Sequence, residues 1–215
     1  MPRTCLLVTL LLFLIALSSC GSTFDGARET FGAEKRDILA GRVEDARDSE
    51  EEAKVQFVSA LDRYFEIVAF EQGDLEDIYD DFESEVEDAD DLAKEVRGRV
   101  DDVSRAAADL FEEWEREFRH YRDQDLRRRS EVSLTETRRH YQRMLLAMRK
   151  TETKMERVLR GFRDQVLFLR RNLNARTVAT LGSVASQLDA EVADLVLDMQ
   201  EAIDEANALL FRMER

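Results

Sequence analysis

Between Leu75 and Trp114 apolar residues recur in alternating steps of four and three. Leu75, Phe82, Ala89, Val96, Val103 and Leu110 occupy one position of a seven-residue repeat, and Tyr79, Val86, Ala93, Val100, Ala107 and Trp114 the other. All twelve are apolar or aromatic, which is the pattern of a long helix burying one seam against partner helices. No proline occurs after Pro2, so the strongest helix breaker is missing from the rest of the chain. Three further segments keep the same period less strictly. The first runs through Leu39, Val43, Ala46, Ala53, Phe57, Ala60, Tyr64 and Ile67, interrupted by Glu50. The third runs through Tyr141, Leu145, Met148, Met155, Leu159, Phe162, Val166, Leu169 and Leu173, interrupted by Glu152. The last uses Leu181, Ala185, Leu188, Val192, Leu195, Met199, Ala202, Ala206, Leu209 and Met213.

These segments predict helices over 33–72, 74–123, 133–172 and 175–213 in one helical domain, 33–215. Gly73 suits a helix end and Asp74 the cap of the next, and Asn172 to Asn174 suit a second junction. Residues 123–133 contain neither glycine nor proline. There the phase of the repeat changes, and Ser133-Leu134-Thr135-Glu136 has the spacing of a capping box. Both favour a turn over a continuous helix with a locally overwound repeat. Charge gives an independent handle on pairing. Residues 74–115 carry 18 acidic and 4 basic side chains, whereas 116–176 carry 18 basic and 8 acidic. A basic third helix packed antiparallel against the acidic second and fourth sets opposite charges beside both seams. The predicted fold is all-α: an elongated antiparallel bundle of about four long helices with coiled-coil heptads, about 60 Å long for helices of about 40 residues.

The first twenty residues are of another kind. Arg3 precedes an apolar run from Cys5 to Leu17, shorter than the roughly 20 residues a spanning helix needs. It reads as the core of a signal peptide. Leu17-Ser18-Ser19-Cys20 resembles the lipobox of bacterial lipoproteins, in which small residues admit the backbone to the signal peptidase and the thiol is alkylated by a diacylglyceryl group. An ordinary signal peptide, with Ala16 and Ser18 as its small-residue pair, is the alternative. The expectation is a lipoprotein signal peptide over 1–19, recognised at Leu17, Ser18 and Ser19, then lipidation of Cys20 and a tether over 20–32 with glycines at 21, 26 and 32. Three acyl chains, at about 0.8 kcal/mol per buried methylene, exceed what stable anchoring requires. Cys5 would leave with the leader, and the mature domain would hold no disulfide. Gly21 is not the aspartate that resembles an inner-membrane retention signal. The expected location is therefore the bacterial envelope, at the outer membrane and facing the periplasm.

The stretches Glu34–Val43 (EKRDILAGRV), Glu44–Ala53 (EDARDSEEEA), Leu110–Glu117 (LFEEWERE) and Phe162–Ala175 (FRDQVLFLRRNLNA) resemble the bacterial domain-of-unknown-function family 2959, over essentially the whole mature chain. That resemblance implies a helical, lipoprotein-like protein. It brings no catalytic residues with it.

The side chains that could carry chemistry are few. His120 and His140 are the two imidazoles; a turn near residue 130 would bring them to similar heights, yet the heptad phase puts both outside the seam and no cysteine can join them as a metal ligand. The acidic run Asp74 to Asp91 lacks the glycine-turned loop of a calcium site and reads as a solvated helix face. No phosphate loop, nucleophile elbow or Ser/His/Asp arrangement is recognisable. The sharpest remaining feature is Arg127, Arg128 and Arg129, followed by Arg138, Arg139 and Arg143. These are candidate contacts for an anionic envelope ligand, a lipid headgroup or polysaccharide, through bidentate guanidinium pairing; pairing with the acidic helices is the competing role. The formal net charge of −15 argues against nucleic acid. The sequence thus points to a non-enzymatic scaffold or interaction protein without cofactor or metal. Its expected partners are the membrane, through the N-terminal lipid, and other envelope proteins or a second copy of itself.

Overall fold

The computed structural model describes residues 23–214; the expected leader with its lipobox Leu17, Ser18 and Ser19, together with Cys20, lies outside the described residues. Long helices α1 (Thr23–Val68), α2 (Leu75–Glu117), α3 (Gln124–Asn172) and α5 (Gly182–Met213) are joined by a 3-10 turn at Phe118–His120 and by the four-residue helix α4 (Ala175–Val178). Each long helix packs on two others, α1 on α2, α2 on α3, α3 on α5 and α5 on α1. Neighbours run antiparallel: Lys35 pairs with Glu113, whereas Gln56, further along α1, reaches back to Glu85. The result is the all-α, up-down-up-down bundle that the periodicity predicts.

The seam is buried as the repeat requires. Of the twelve positions on α2, the ten from Tyr79 to Leu110 are buried, and Leu75 and Trp114 at the two ends are half-buried. Small residues on α1 (Ala46, Ala53, Ala60) alternate with Phe57 and Tyr64, all fully buried, so the helices approach closely in some layers and interlock aromatic rings in others. One aromatic layer joins three helices: Phe82 lies 5.3 Å from Tyr64 and 6.0 Å from Phe162, which lies 6.5 Å from Phe57. Such rings contribute about 0.5–1.5 kcal/mol per pair beyond the area they bury.

The turns follow local chemistry. Gly73 adopts φ +129°, the left-handed half of the map that favours glycine, and Asp74 then caps α2 by accepting from the Glu76 amide at 2.9 Å. Asn174 accepts from the Thr177 amide at 3.1 Å and starts α4, so the last long helix begins at Gly182 rather than at 175. Two other expectations are corrected. The second reversal lies at 118–123, not 123–133: Asp123 caps α3 by accepting from the amides of Asp125 and Leu126 at 2.8 and 3.2 Å, which leaves Ser133 to Glu136 inside a helix. Residues 23–32, expected as a tether, are helical as the start of α1, because a long helix propagates through glycines that cost only about 1 kcal/mol each.

The basic helix pairs with its acidic neighbours on both sides. On the α2 side Arg149 reaches Asp101 at 2.5 Å, Arg138 reaches Glu115 at 2.7 Å, Arg163 pairs with Asp90 and Arg170 with Glu83. On the α5 side Lys150 reaches Asp198 at 2.9 Å and Lys154 reaches Asp194 and Asp198 at 2.5 and 2.6 Å. Burial opposes the charge on Asp198, but hydrogen bonds from Lys154 and Lys150 outweigh it and hold its pKa below the usual carboxylate value.

Candidate functional site

Two places in the bundle combine polar chemistry with an unusual setting. The first is the end where α2 passes to α3, here called the tip. Arg127, Arg128 and Arg129 stand in the first two turns of α3, not in a loop. Arg127 is held by Glu131 at 2.9 Å and Arg128 more loosely by Asp125 at 3.5 Å; Arg129 is exposed and has no carboxylate partner among the described residues. Further along the helix Arg138 pairs with Glu115 and lies 5.0 Å over the Phe111 ring, and Arg143 reaches Glu205 at 3.3 Å. Arg139 is exposed and unpaired among the described residues. The fourteen residue steps from Arg129 to Arg143 span about 21 Å of helix. The six arginines therefore do not form one site; Arg138 and Arg143 serve the seams, and only the first group gathers at the tip.

The turn adds two arginines that the sequence reading passed over. Arg119, within the 3-10 segment, and Arg122, two residues after it, are exposed and have no ion pair among the described residues. Their signal was present in the sequence, but a turn placed at 123–133 left them on the preceding helix. Beside them an open groove of about 380 Å³ is lined by Arg36, Trp114, Tyr121, Leu126 and Arg129. Trp114 donates from Nε1 to Ser130 at 2.8 Å, with the Arg36 guanidinium 5.4 Å from its ring centre.

The second place is a polar layer in the middle of the core. Glu50, the interruption in the first heptad segment, is fully buried, and so is Thr151 across the bundle on α3. Glu152, the interruption read from the sequence, turns instead toward Arg149, at 2.8 and 3.0 Å. Thr151 Oγ1 lies 2.5 Å from Glu50 Oε1 and 2.7 Å from the Met148 carbonyl oxygen. A hydroxyl has one proton to give and a carbonyl has none. With Glu50 protonated and donating to Thr151, which donates to Met148, each contact has its own proton; with Glu50 ionised, the single Thr151 proton is shared between two acceptors. Burial drives the Glu50 carboxyl toward its neutral form: with help from the Glu152 charge, and against the hydrogen bond that Thr151 would donate to the ionised carboxylate, its pKa rises from 4.5 to about 8. Glu50 Oε2 has no partner.

The polar layer is closed to water, since Glu50 and Thr151 are both fully buried. His120 sits exposed at the tip, whereas His140 lies sixteen residues into α3, about 24 Å up the helix; the equal heights expected of them are lost with the misplaced turn. His140 is held below its usual pKa by partial burial and by Arg143 and Arg139. Among the described residues no group of three or more His, Cys, Asp or Glu is placed to hold a metal, and no helix is long and apolar enough to cross a membrane.

The family model described as a protein of unknown function, DUF2959, matches residues 24–213, and the chain belongs to that family. No curated protein and no solved structure matches it.

Proposed function

We propose that this DUF2959 protein is a lipid-anchored, non-enzymatic scaffold of the bacterial envelope, cleaved before Cys20, lipidated there, and held at the outer membrane facing the periplasm. The observation that carries the reading is the single core running the length of the bundle, from Leu39 and Leu110 near one end to Ile67 and Leu169 near the other, with every layer between them buried. A rod of this kind resists bending because each helix is packed along its length on two others. With 43 residues in α2, it sets its far end about 65 Å from the anchored one. The start of α1 follows Cys20 by three residues, which supports an anchor joined directly to the rod. Its work is then geometric: the lipid fixes one end, and the faces and far end are presented to envelope proteins or a second copy.

Fractionation tests this reading. The intact chain is expected in the outer-membrane fraction and Cys20→Ala in a fraction lighter or soluble. Proximity labelling from the 69–74 turn at the far end is expected to mark envelope proteins only when the anchor is present. A chain that fractionates identically with and without Cys20 overturns the anchored scaffold.

A further inference from the structure

The tip has a composition that the scaffold role leaves unused. Residues 118–129 carry five arginines and two aspartates. One aspartate, Asp123, is engaged as the α3 cap, and Asp125 faces Arg128 at 3.5 Å. Arg119, Arg122 and Arg129 have no carboxylate among the described residues. Between and beside them two aliphatic side chains are half or more exposed, Leu126 at 51% and Val132 at 54%. Along the rest of α3 most of the long basic side chains pair across the seams with α2 and α5, while Arg139, Arg157 and Arg171 stand singly without a carboxylate among the described residues; only at the tip do unpaired arginines gather, past the last core layer and in water. Unpaired guanidinium groups interleaved with exposed aliphatic residues match a surface that is anionic at the top and apolar just beneath, which is the chemistry of phospholipid headgroups.

The arrangement along the axis strengthens the match. The half of α2 remote from the tip, residues 75–96, carries eleven carboxylates and one lysine. A rod acidic at one end and basic at the tip is turned by the field of an anionic surface so that the tip faces it. The tip also lies at the end where α1 begins. Arg36, Trp114 and Ser130 mark one level across α1, α2 and α3; from there Gln124 is six residues and Thr23 thirteen residues further out, about 9 and 20 Å. The start of α1 thus overshoots the tip by about 10 Å, close to one Debye length, so the arginines feel the surface with the rod upright and touch it when the rod leans.

We infer that the tip, through Arg119, Arg122 and Arg129 with Leu126 and Val132, binds anionic phospholipid headgroups of the membrane that holds the lipidated N terminus. This rests on the anchored reading above, and its test keeps the two apart. Trp114 is the single tryptophan of the chain and adjoins the tip, so it reports approach without added labels. The lipidated full chain is placed in vesicles of phosphatidylcholine alone, or of phosphatidylcholine with phosphatidylglycerol, each carrying a lipid with a quencher on its headgroup. Trp114 quenching is expected to be about twofold or more greater in the anionic vesicles, with the excess lost at high salt and in Arg119→Gln/Arg122→Gln/Arg129→Gln. Equal quenching in both vesicles, or an excess that the triple variant retains, overturns the inference, and would be the outcome if an acidic polysaccharide or protein were the true ligand. Flotation with neutral vesicles reads the anchor alone. Should the anchor fail, the same chain must still float with anionic vesicles at low salt and not at high salt; failure to do so overturns the tip by itself.

Discussion

The middle of the bundle and its tip treat charge in opposite ways. At Glu50 an ionisable group is sealed from water, has one hydrogen-bonding neighbour, and is driven to its neutral form at neutral pH. At Arg119, Arg122 and Arg129 permanently charged groups stand in water with no carboxylate partner among the described residues. The first setting costs stability and gains a distinguishing layer, because only one register of α1 against α3 puts Glu50 opposite Thr151. The second costs the fold almost nothing and leaves three cations available to something outside it. Buried polarity here concerns which structure forms; exposed polarity concerns what that structure meets.

The largest effect is expected from removing the acid. A carboxyl whose pKa is higher folded than unfolded binds its proton more tightly in the fold. Its contribution is therefore constant below about 4.5, and stability falls as pH rises from there toward about 8, then levels. Between the unfolded 4.5 and pH 7 this is on the order of 3 kcal/mol. Glu50→Gln should remove that slope, so chemical denaturation at pH 5, 7 and 9 should find the variant increasingly more stable than the parent as pH rises; parallel curves would place Glu50 as an ordinary ionised carboxylate.

Thr151→Val leaves the acid without its one partner and should destabilise by about 1–3 kcal/mol, whereas Glu50→Leu with Thr151→Val, which replaces the pair by apolar groups, should recover most of that loss. A double variant no more stable than the single one would mean that shape, not polarity, governs the layer. On the α3–α5 seam, Asp198→Ala leaves Lys154 with Asp194 as its remaining carboxylate and should cost about 1–2 kcal/mol. Because the Asp198 pKa is depressed by its lysines, its contribution is present above the ordinary carboxylate value and fades as pH falls through the folded one, the reverse of Glu50. The smallest effect is at the tip: the triple arginine-to-glutamine variant should leave the denaturation midpoint unchanged, and a clear shift would show that those side chains support the fold after all.

The fold was legible where helices are packed on helices. Buried seam positions impose a seven-residue period, so α2 could be read from Leu75 to Trp114 and the basic α3 could be placed between acidic neighbours. It was not legible where a helix runs past the core. Residues 124–133 are helical but have no layer to fill; Leu126 and Val132 are exposed, the repeat loses its phase, and the loss resembles a turn. The glycines at 26 and 32 misled in the same way at the start of α1. Ser133 to Glu136 has the letters of a capping box, yet Asp123 had already capped the helix, and sequence spacing does not reveal which cap is used. Glu50 and Glu152 were visible as interruptions, but the repeat names no partner for either: Thr151, one residue before Glu152, is the side chain turned inward to Glu50, and Glu152 is left to Arg149. The arginine cluster was visible as a run, while its division between seam and tip depends on heights set only when the reversal is placed at 118–123.

The proposed scaffold role rests on an anchor at Cys20, and the most direct test of it is chemical. Cells making the intact chain are grown with labelled palmitate, and the mature N-terminal peptide is recovered and weighed. The account predicts label on the protein, an N terminus beginning at an acylated Cys20, and no label in Cys20→Ala. Label that persists in that variant, or a mature chain that begins elsewhere with a free Cys20 thiol, would contradict it.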